Sequence, residues 1–312
     1  MMGAGHGGEP TKRVVSVSLS AASRDVEGTL ELLGETVALR RVGTDGDRAR
    51  AAALIRELDG TVDAIGLGGI NLYVYVGSTR FRLRDAARLA ALALRTPVVD
   101  GSGLKRSLEG RVVAALDARE RLAGRRVLMV SAVDRHGMAQ AFRAAGAEVR
   151  YGDLAFLVGV PYVLRSAWTL QALGYALAPI AKELPIELLY PTGAAQEREQ
   201  RGWVAARLGA AYAWAEVIAG DWHLIRRYLP ERLTGKVIVT NTTTAANVAL
   251  LREREARLLV TTTPRLGDRS LATNLLEAAF VAVSGGEALT QAALDDLVAR
   301  AGLCGTFTEL QP

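Results

Sequence analysis

Residues Lys236–Asn274, KVIVTNTTTAANVALLREREARLLVTTTPRLGDRSLATN, read as strand, threonine-rich turn and helix, twice over. Lys236–Thr240 and Leu258–Thr262 are β-branched, apolar runs suited to buried parallel strands. The spacing between them holds one crossover helix. The first strand ends in Asn241-Thr242-Thr243-Thr244, the second in Thr261-Thr262-Thr263-Pro264-Arg265. In an open α/β sheet, ligands bind outside the carboxyl ends of the strands, so the two turns are expected side by side there. Hydroxyls, backbone N–H groups and helix N-termini favour an anion, and Arg265 and Arg269 add charge-assisted donors. Asn241, Thr242, Thr243, Thr262, Thr263, Arg265 and Arg269 are therefore candidate cofactor contacts. The plainer alternative makes the threonines helix N-caps and the arginines solvated surface.

The same rhythm extends toward the N-terminus. Strands are expected at Arg13–Leu19, with Ser16 and Ser18 along it, Glu35–Val42, Asp63–Leu67 and Thr96–Val99. A helix at Arg48–Leu58 shows an apolar face, and another is read at Asp85–Leu94. Gly77-Ser78 between Asn71–Val76 and Thr79–Leu83 signals a hairpin. Asp100-Gly101-Ser102-Gly103 precedes a helix carrying Lys105. Its glycines let backbone N–H groups approach an anion, and Ser102 and Lys105 stand beside them. Asp117–Gly124 reads as a polar, helical linker. It divides a leader (1–12), an N-terminal domain (13–120) and a C-terminal domain (121–312).

After the linker, strand Arg126–Val130, a turn, a helix and a strand, ending at Asp153, match a Rossmann-like unit in length and order. Its turn is SAVDRHG rather than G-x-G-x-x-G. Ser131, Asp134, Arg135 and Gly137 are its candidate cofactor contacts. Leu154–Ile180 is apolar but interrupted, and reads as a buried helix or one lining an apolar pocket, too broken to span a membrane. Glu187–Tyr190 reads as a strand, Ala194–Arg201 as a polar loop or lid, and Ala213–Ala219 as a strand. Asp221 N-caps the next helix, which puts His223 in its first turn as an acid–base candidate and Arg227 one turn on. The apolar run Leu271–Val283 and Gln291–Ala301 are further helices. The fold class is thus α/β, two α/β domains, with a Rossmann-like, doubly wound parallel sheet in the C-terminal one.

Half of the 312 residues are hydrophobic and 23% are charged, a globular composition. The net charge of +5 is spread along the chain without a basic run, which argues against nucleic acid and suits a small anionic metabolite. A single cysteine, Cys304, rules out an internal disulfide and points to a reducing cytoplasm. No metal-ligand cluster is visible, no membrane partner is expected, and a homodimer is compatible with the sequence.

The stretches RVGTDGD, DAIGLGGINLY, TPVVDGSGLKRSLE, RVLMVSAVDRHGMA, AEVRYGDLAF, WAEVIAGDWHLIRRYLP, VTNTTT and TTTPRLGDRSLATN, within Arg13 to about Glu309, resemble a bacterial family labelled quinate 5-dehydrogenase. The resemblance implies a catalytic domain followed by a nucleotide-binding domain. It also implies a Ser-x-Ser pair, here Ser16-Val17-Ser18, for a ring acid's carboxylate. The cofactor turn is not glycine-rich as in shikimate and quinate dehydrogenases, and Lys105 with Asp100 does not match their catalytic motifs. The reading that follows is an NAD(P)-dependent oxidoreductase for a hydroxylated ring acid such as quinate or shikimate. Lys105, His223 and Asp221 would be catalytic, Ser16, Ser18, Ser102 and Arg227 would hold substrate, and NAD or NADP would be the cofactor. Two other classes fit the same residues: a transferase or lyase for a phosphorylated metabolite, and a non-catalytic anion-binding protein.

Overall fold

The computed structural model describes residues 10–77, 79–185 and 202–311. The strand expected at Glu187–Tyr190, the loop Ala194–Arg201 and most of the leader lie outside them.

The N-terminal half runs β1 (Lys12–Ser18), a 3-10 turn (Ala22–Arg24), β2 (Val26–Leu32), β3 (Glu35–Gly43), α1 (Arg48–Leu58), β4 (Ala64–Gly68), the hairpin β5 (Tyr73–Val76) and β6 (Thr79–Arg82), α2 (Arg84–Ala90) and β7 (Val98–Val99). Helix α3 (Ser102–Glu120) leads into β8 (Arg126–Met129), α4 (His136–Ala144) and β9 (Glu148–Tyr151). A π-helical turn (Leu154–Val158), α5 (Ala167–Ala181), α6 (Trp203–Trp214), β10 (Val217–Ala219), α7 (Trp222–Arg227), β11 (Val237–Thr240), α8 (Ala245–Glu253) and β12 (Leu258–Thr261) follow. The chain ends with the short hairpin β13 (Arg265–Leu266) and β14 (Arg269–Ser270), α9 (Thr273–Val283), α10 (Gln291–Arg300) and β15 (Thr306–Glu309).

Two mixed α/β domains with largely parallel sheets result. The N-terminal sheet has the order β2-β3-β1-β4-β7 and the C-terminal sheet β15-β12-β11-β10-β8-β9. Within each, only the outer strands β2 and β15 run antiparallel to their neighbours. Counted from β8, the parallel strands of the second sheet stand second-first-third-fourth-fifth. That is a doubly wound order, but not the dinucleotide-binding order third-second-first-fourth-fifth-sixth. The Rossmann-like expectation is corrected to that extent. The switch point of the sheet lies between β8 and β10, where opposite-going crossovers leave a crevice.

Period-two alternation assigns each strand's side chains to two cores. Val127 and Met129, Val237 and Val239, and Leu258 and Val260 face α3, α4 and α9, in one cluster with Val14, Val37 and Leu39 of the first sheet. Leu128, Ile218, Ile238 and Leu259 face α6 and α7. Val17, Ile65 and Leu67 face α1 and α2 on the other side of the N-terminal sheet. Helix α9 comes from the far end of the chain yet packs on β1 and β4. It is buried from Thr273 through Ala282, which explains an apolarity that past Asn274 only Glu277 interrupts. Gly66 permits the approach, because a Cβ there would stand 2.9 Å from the Asn274 carbonyl oxygen.

Several local expectations change. β2 was not anticipated: VEGTLEL is an edge strand whose outward positions are polar. The run Ala213–Ala219 divides, since Ala213 and Trp214 complete α6 before β10 begins. Within Asp117–Gly124, α3 continues to Glu120 and a tight cap follows, with Asp117 Oδ1 accepting from the buried Leu122 N at 2.7 Å. Leu154–Ile180 is not one buried helix. It forms a π turn, an extended stretch and α5, on which Trp168, Tyr175, Leu177 and Ile180 are exposed. Among the described residues, no helix is long and apolar enough to cross a membrane.

Candidate ligand-binding cleft

Carboxyl ends of both sheets converge on a cleft of about 160 Å³. Ser18 ends β1 and Ser20 follows it, Gly68 ends β4 with Gly69 next, and Asp100 follows β7; Asp134, Asp221 and Asn241 reach in from the ends of β8, β10 and β11. Thr273 and Asn274, opening α9, line it as well.

A chain of paired charges crosses the floor. Lys105 Nζ donates to Asp134 Oδ1 at 2.9 Å and to Asn71 Oδ1 at 3.3 Å, while Asn71 Nδ2 donates to the same carboxylate at 2.7 Å. Arg135, only 1% exposed, pairs with the buried Glu109 and approaches Asp221 Oδ2 at 3.5 Å. Burial works against the Arg135 charge, but Glu109, Asp134 and Asp221 outweigh it and hold this guanidinium above its ordinary range. Asp221 caps α7 by accepting from His223 N at 2.9 Å, and accepts from Asn241 Nδ2 at 3.1 Å. Burial pushes Asp221 up, yet His223, Arg135 and Lys105 bring it down to about 2. It is a fixed carboxylate at neutral pH and a poor proton acceptor.

One wall is cationic. Arg41 is 7% exposed and donates to Asp25 Oδ1 at 2.7 Å, Ser18 Oγ at 2.9 Å and the Ala21 carbonyl at 3.2 Å. Its pKa is lowered to about 10, by burial first and then by Arg24; Arg269 lowers it further, and Asp25 opposes them. Arg24, from the 3-10 turn, places Nη1 2.5 Å from His223 Nε2 on α7 and joins the two halves across the cleft.

The expected site residues divide accordingly. Lys105, Asp221, His223, Ser18, Asp134, Asn241 and Thr242 line the cleft. Ser16 is fully buried and accepts from Asn274 Nδ2 at 2.6 Å, so it orients a lining residue rather than facing the cleft. Ser102 and Gly137 line a neighbouring cavity of about 330 Å³. Arg227 donates to the Phe156 carbonyl at 3.2 Å. Ser131 Oγ accepts from Asp221 N at 3.3 Å, and Arg135 is spent in its ion pairs. Threonines of both turns enter internal hydrogen bonds. Thr262 N donates to the Thr240 carbonyl at 2.8 Å, Thr263 Oγ1 to the Leu271 carbonyl at 2.6 Å, and Thr243 Oγ1 meets Ser270 Oγ at 3.1 Å. Arg265 donates to the Asp268 carbonyl and Arg269 pairs with the Asp268 carboxylate. Hairpin β13–β14 intervenes between the second turn and α9 and takes up part of the expected donor set, while Arg269 Nη1 stays buried without a hydrogen-bond partner. Arg24, Arg41, Asn71 and Asn274 were not anticipated. For Arg41 a signal existed, since adjacent Arg40 and Arg41 in a strand must point to opposite faces.

A family model described as "Domain of unknown function (DUF8754)" matches residues 103–310, and a second, "Domain of unknown function (DUF8753)", matches residues 13–100. The chain belongs to the DUF8754 family. The two models meet at the loop between β7 and α3, on the cleft. No curated protein matches the chain. Among solved structures, a substrate-binding protein of a sugar ABC transport system from Bordetella parapertussis is similar at 14% identity and a TM-score of 0.39, over 95% of this chain and 81% of that one. The periplasmic binding protein component of the arabinose ABC transporter from a Shewanella species is similar at 11% identity and a TM-score of 0.37, over 93% and 94%. A solute-binding protein from Agrobacterium vitis with bound allitol is similar at 10% identity and 0.36, over 93% and 98%.

These findings correct the family resemblance. The matching models describe domains of unknown function, and the similar solved structures are transport binding proteins, not quinate dehydrogenases. The NAD(P)-dependent oxidoreductase reading, its enzymatic character and its ring-acid substrate are withdrawn with it. One of these similar structures is described as a periplasmic binding protein component, and the cytoplasmic expectation is not carried further.

Proposed function

We propose that the chain is a non-catalytic binding protein that holds a small, hydroxyl-rich, anionic molecule in the cleft between its two sheets. The observation that carries this reading is the cationic wall. Arg41 is buried beside Arg24 and within the field of Arg269, with Asp25 as opposing carboxylate, so a ligand's anionic group is favoured there. Around it, Ser18, Asn71, Asn241, Thr242 and Asn274 offer neutral donors and acceptors suited to hydroxyls. The charges on the floor are already paired, which suits a preorganised binding surface more than proton transfer. Asp221 is held as a carboxylate and Lys105 is bound to Asp134.

The test is thermal stabilisation of the whole chain by sugar acids (aldonates and uronates) against neutral sugars and polyols. A true ligand at about 100 times its dissociation constant stabilises by about 2.7 kcal/mol. The expected result is a shift with a sugar acid that Arg41→Gln abolishes. A neutral sugar binding equally well in both chains would refute the anionic part. No shift from any of them would refute the reading.

A further inference from the structure

Two side chains meet across the cleft. Arg24, on the 3-10 turn of the first half, places Nη1 2.5 Å from Nε2 of His223, which stands in the first turn of α7 on the second. An arginine side chain only donates, and it keeps its charge at any ordinary pH. Nε2 is therefore the accepting nitrogen, which makes His223 a neutral imidazole with its proton on Nδ1. A proton on Nε2 would set two cations at hydrogen-bond distance.

Both backbones are pinned, so any exchange at this contact belongs to the side chains. Ala22 N donates to Asp45 Oδ1 at 2.8 Å and Gly43 N to Asp25 Oδ1 at 2.6 Å, and a Cβ at Gly43 would stand 2.7 Å from Ala22 N. On the other side Trp222 is buried and its N donates to Asn241 Oδ1 at 3.2 Å, while Asp221 accepts from His223 N. Arg24 and His223 themselves are half-buried on the cleft lining.

The other charged groups on that lining are Arg41, Asp100, Lys105, Asp134 and Asp221. Arg41 lies in the field of Arg24, and Asp221 in that of His223. Lys105 pairs with Asp134, and Asp100 accepts from Leu72 N at 2.6 Å and Ser102 N at 3.0 Å. Arg226 and Arg227 follow His223 one turn on along α7, Arg227 donating to the Phe156 carbonyl. The π turn packed on α7 begins at the buried Asp153 and brings Leu157 to the lining. In this set, histidine is the side chain whose ordinary titration range reaches neutrality.

We propose that this contact is a proton-linked latch on the anion site: the ligand's anionic group draws Arg24 away from Nε2 to stand beside Arg41, and His223 takes up a proton from solvent and donates to the same anion. The inference rests on the reading of the cleft as an anion site and adds its regulation. The two states exclude each other, since one nitrogen does not both accept from Arg24 and carry a proton. With the ligand seated, its carboxylate and Asp221 favour the imidazolium that Arg24 had opposed. The liganded chain then holds one proton more than the free chain. Affinity therefore rises as pH falls, by up to about tenfold per pH unit between the two titration points of His223.

The test uses the full chain with gluconate and glucuronate, whose carboxylates stay ionised at these pH values. Calorimetric titration at about pH 7 in two buffers of different ionisation enthalpy should show proton uptake on binding, up to about one per ligand. His223→Gln keeps an acceptor for Arg24 but has no titrating nitrogen. It should bind the same sugar acid with no proton uptake and with an affinity that stays flat from about pH 6 to about pH 8. In the ligand-free chain, nitrogen NMR of the three histidines should find the His223 proton on Nδ1, and Arg24→Gln should move its titration to higher pH. A sugar acid that binds without proton uptake, or with uptake that persists in His223→Gln, overturns the latch and leaves the binding function standing. A neutral His223 with its proton on Nε2 overturns it without any ligand. If neither sugar acid binds, the anion-site reading fails and the latch falls with it.

Discussion

Glu277→Gln tests how α9 is joined to α3. Glu277 lies within the apolar α9, 8% exposed, and its Oε2 accepts from Leu104 N at 2.8 Å in the first turn of α3. Burial, then the neighbouring Asp100, push its carboxyl from 4.5 up to about 8. The folded value is above the unfolded one, so between these pH values the folded chain keeps a proton that the unfolded chain has released. Stability from this group is complete below about pH 4.5 and is lost as pH rises through about 8. At about 1.4 kcal/mol per pH unit, the loss across that interval approaches about 5 kcal/mol, comparable with the whole stability of a marginal domain. Glutamine keeps an acceptor for Leu104 N and carries no titrating proton. Urea unfolding of both chains from about pH 5 to about pH 9 measures the difference. The variant should match the wild type to within about 1 kcal/mol at the acid end and gain on it steadily toward the alkaline end. Parallel stability profiles would refute the reasoning, because they would mean that Glu277 titrates alike in the folded and unfolded chains.

Two further outcomes follow from packing. Gly66→Ala sets a Cβ 2.9 Å from the Asn274 carbonyl and should cost about 1–3 kcal/mol in urea unfolding. Gly110→Ala, inside α3 with open space around it, should instead stabilise by about 1 kcal/mol, and equal costs at both would refute the close-approach argument. Arg135→Met leaves Glu109 buried without its partner and should cost about 3–5 kcal/mol. Adding Glu109→Leu should recover most of that in the same assay, and a double variant no more stable than the single would show that the ion pair is not the cause.

Much of this protein is determined locally. The strands around Val14, Ile65, Val127, Ile238 and Leu259 were legible because apolar runs of strand length between turns have few other uses. The helix start at Asp221 was legible, since a capping side chain bonds within its own turn. The crossover spacing between β11 and β12 was legible too, and with it the end of the sheet at which Lys105, Asp134, His223 and Asn241 gather. The cleft's other half was not. Arg41 enters it because β3 pairs with β1 in the register that sets Arg41 against Ser16. Asn274 enters it because α9 crosses back to the first sheet, where Asn274 meets Ser16 across 258 positions of sequence, a contact that no local period encodes. The threonine turns were legible only in part, for the complementary reason: Asn241 and Thr242 line the cleft, while Thr243 and Thr263 bond internally. Composition marks a hydroxyl as available, but whether it meets a ligand or a backbone carbonyl is decided only when a distant segment arrives. At Thr243 and Thr263 that segment is Ser270–Leu271. Local propensity and periodicity set the elements and their order, while long-range packing settled which polar groups remain to meet a ligand.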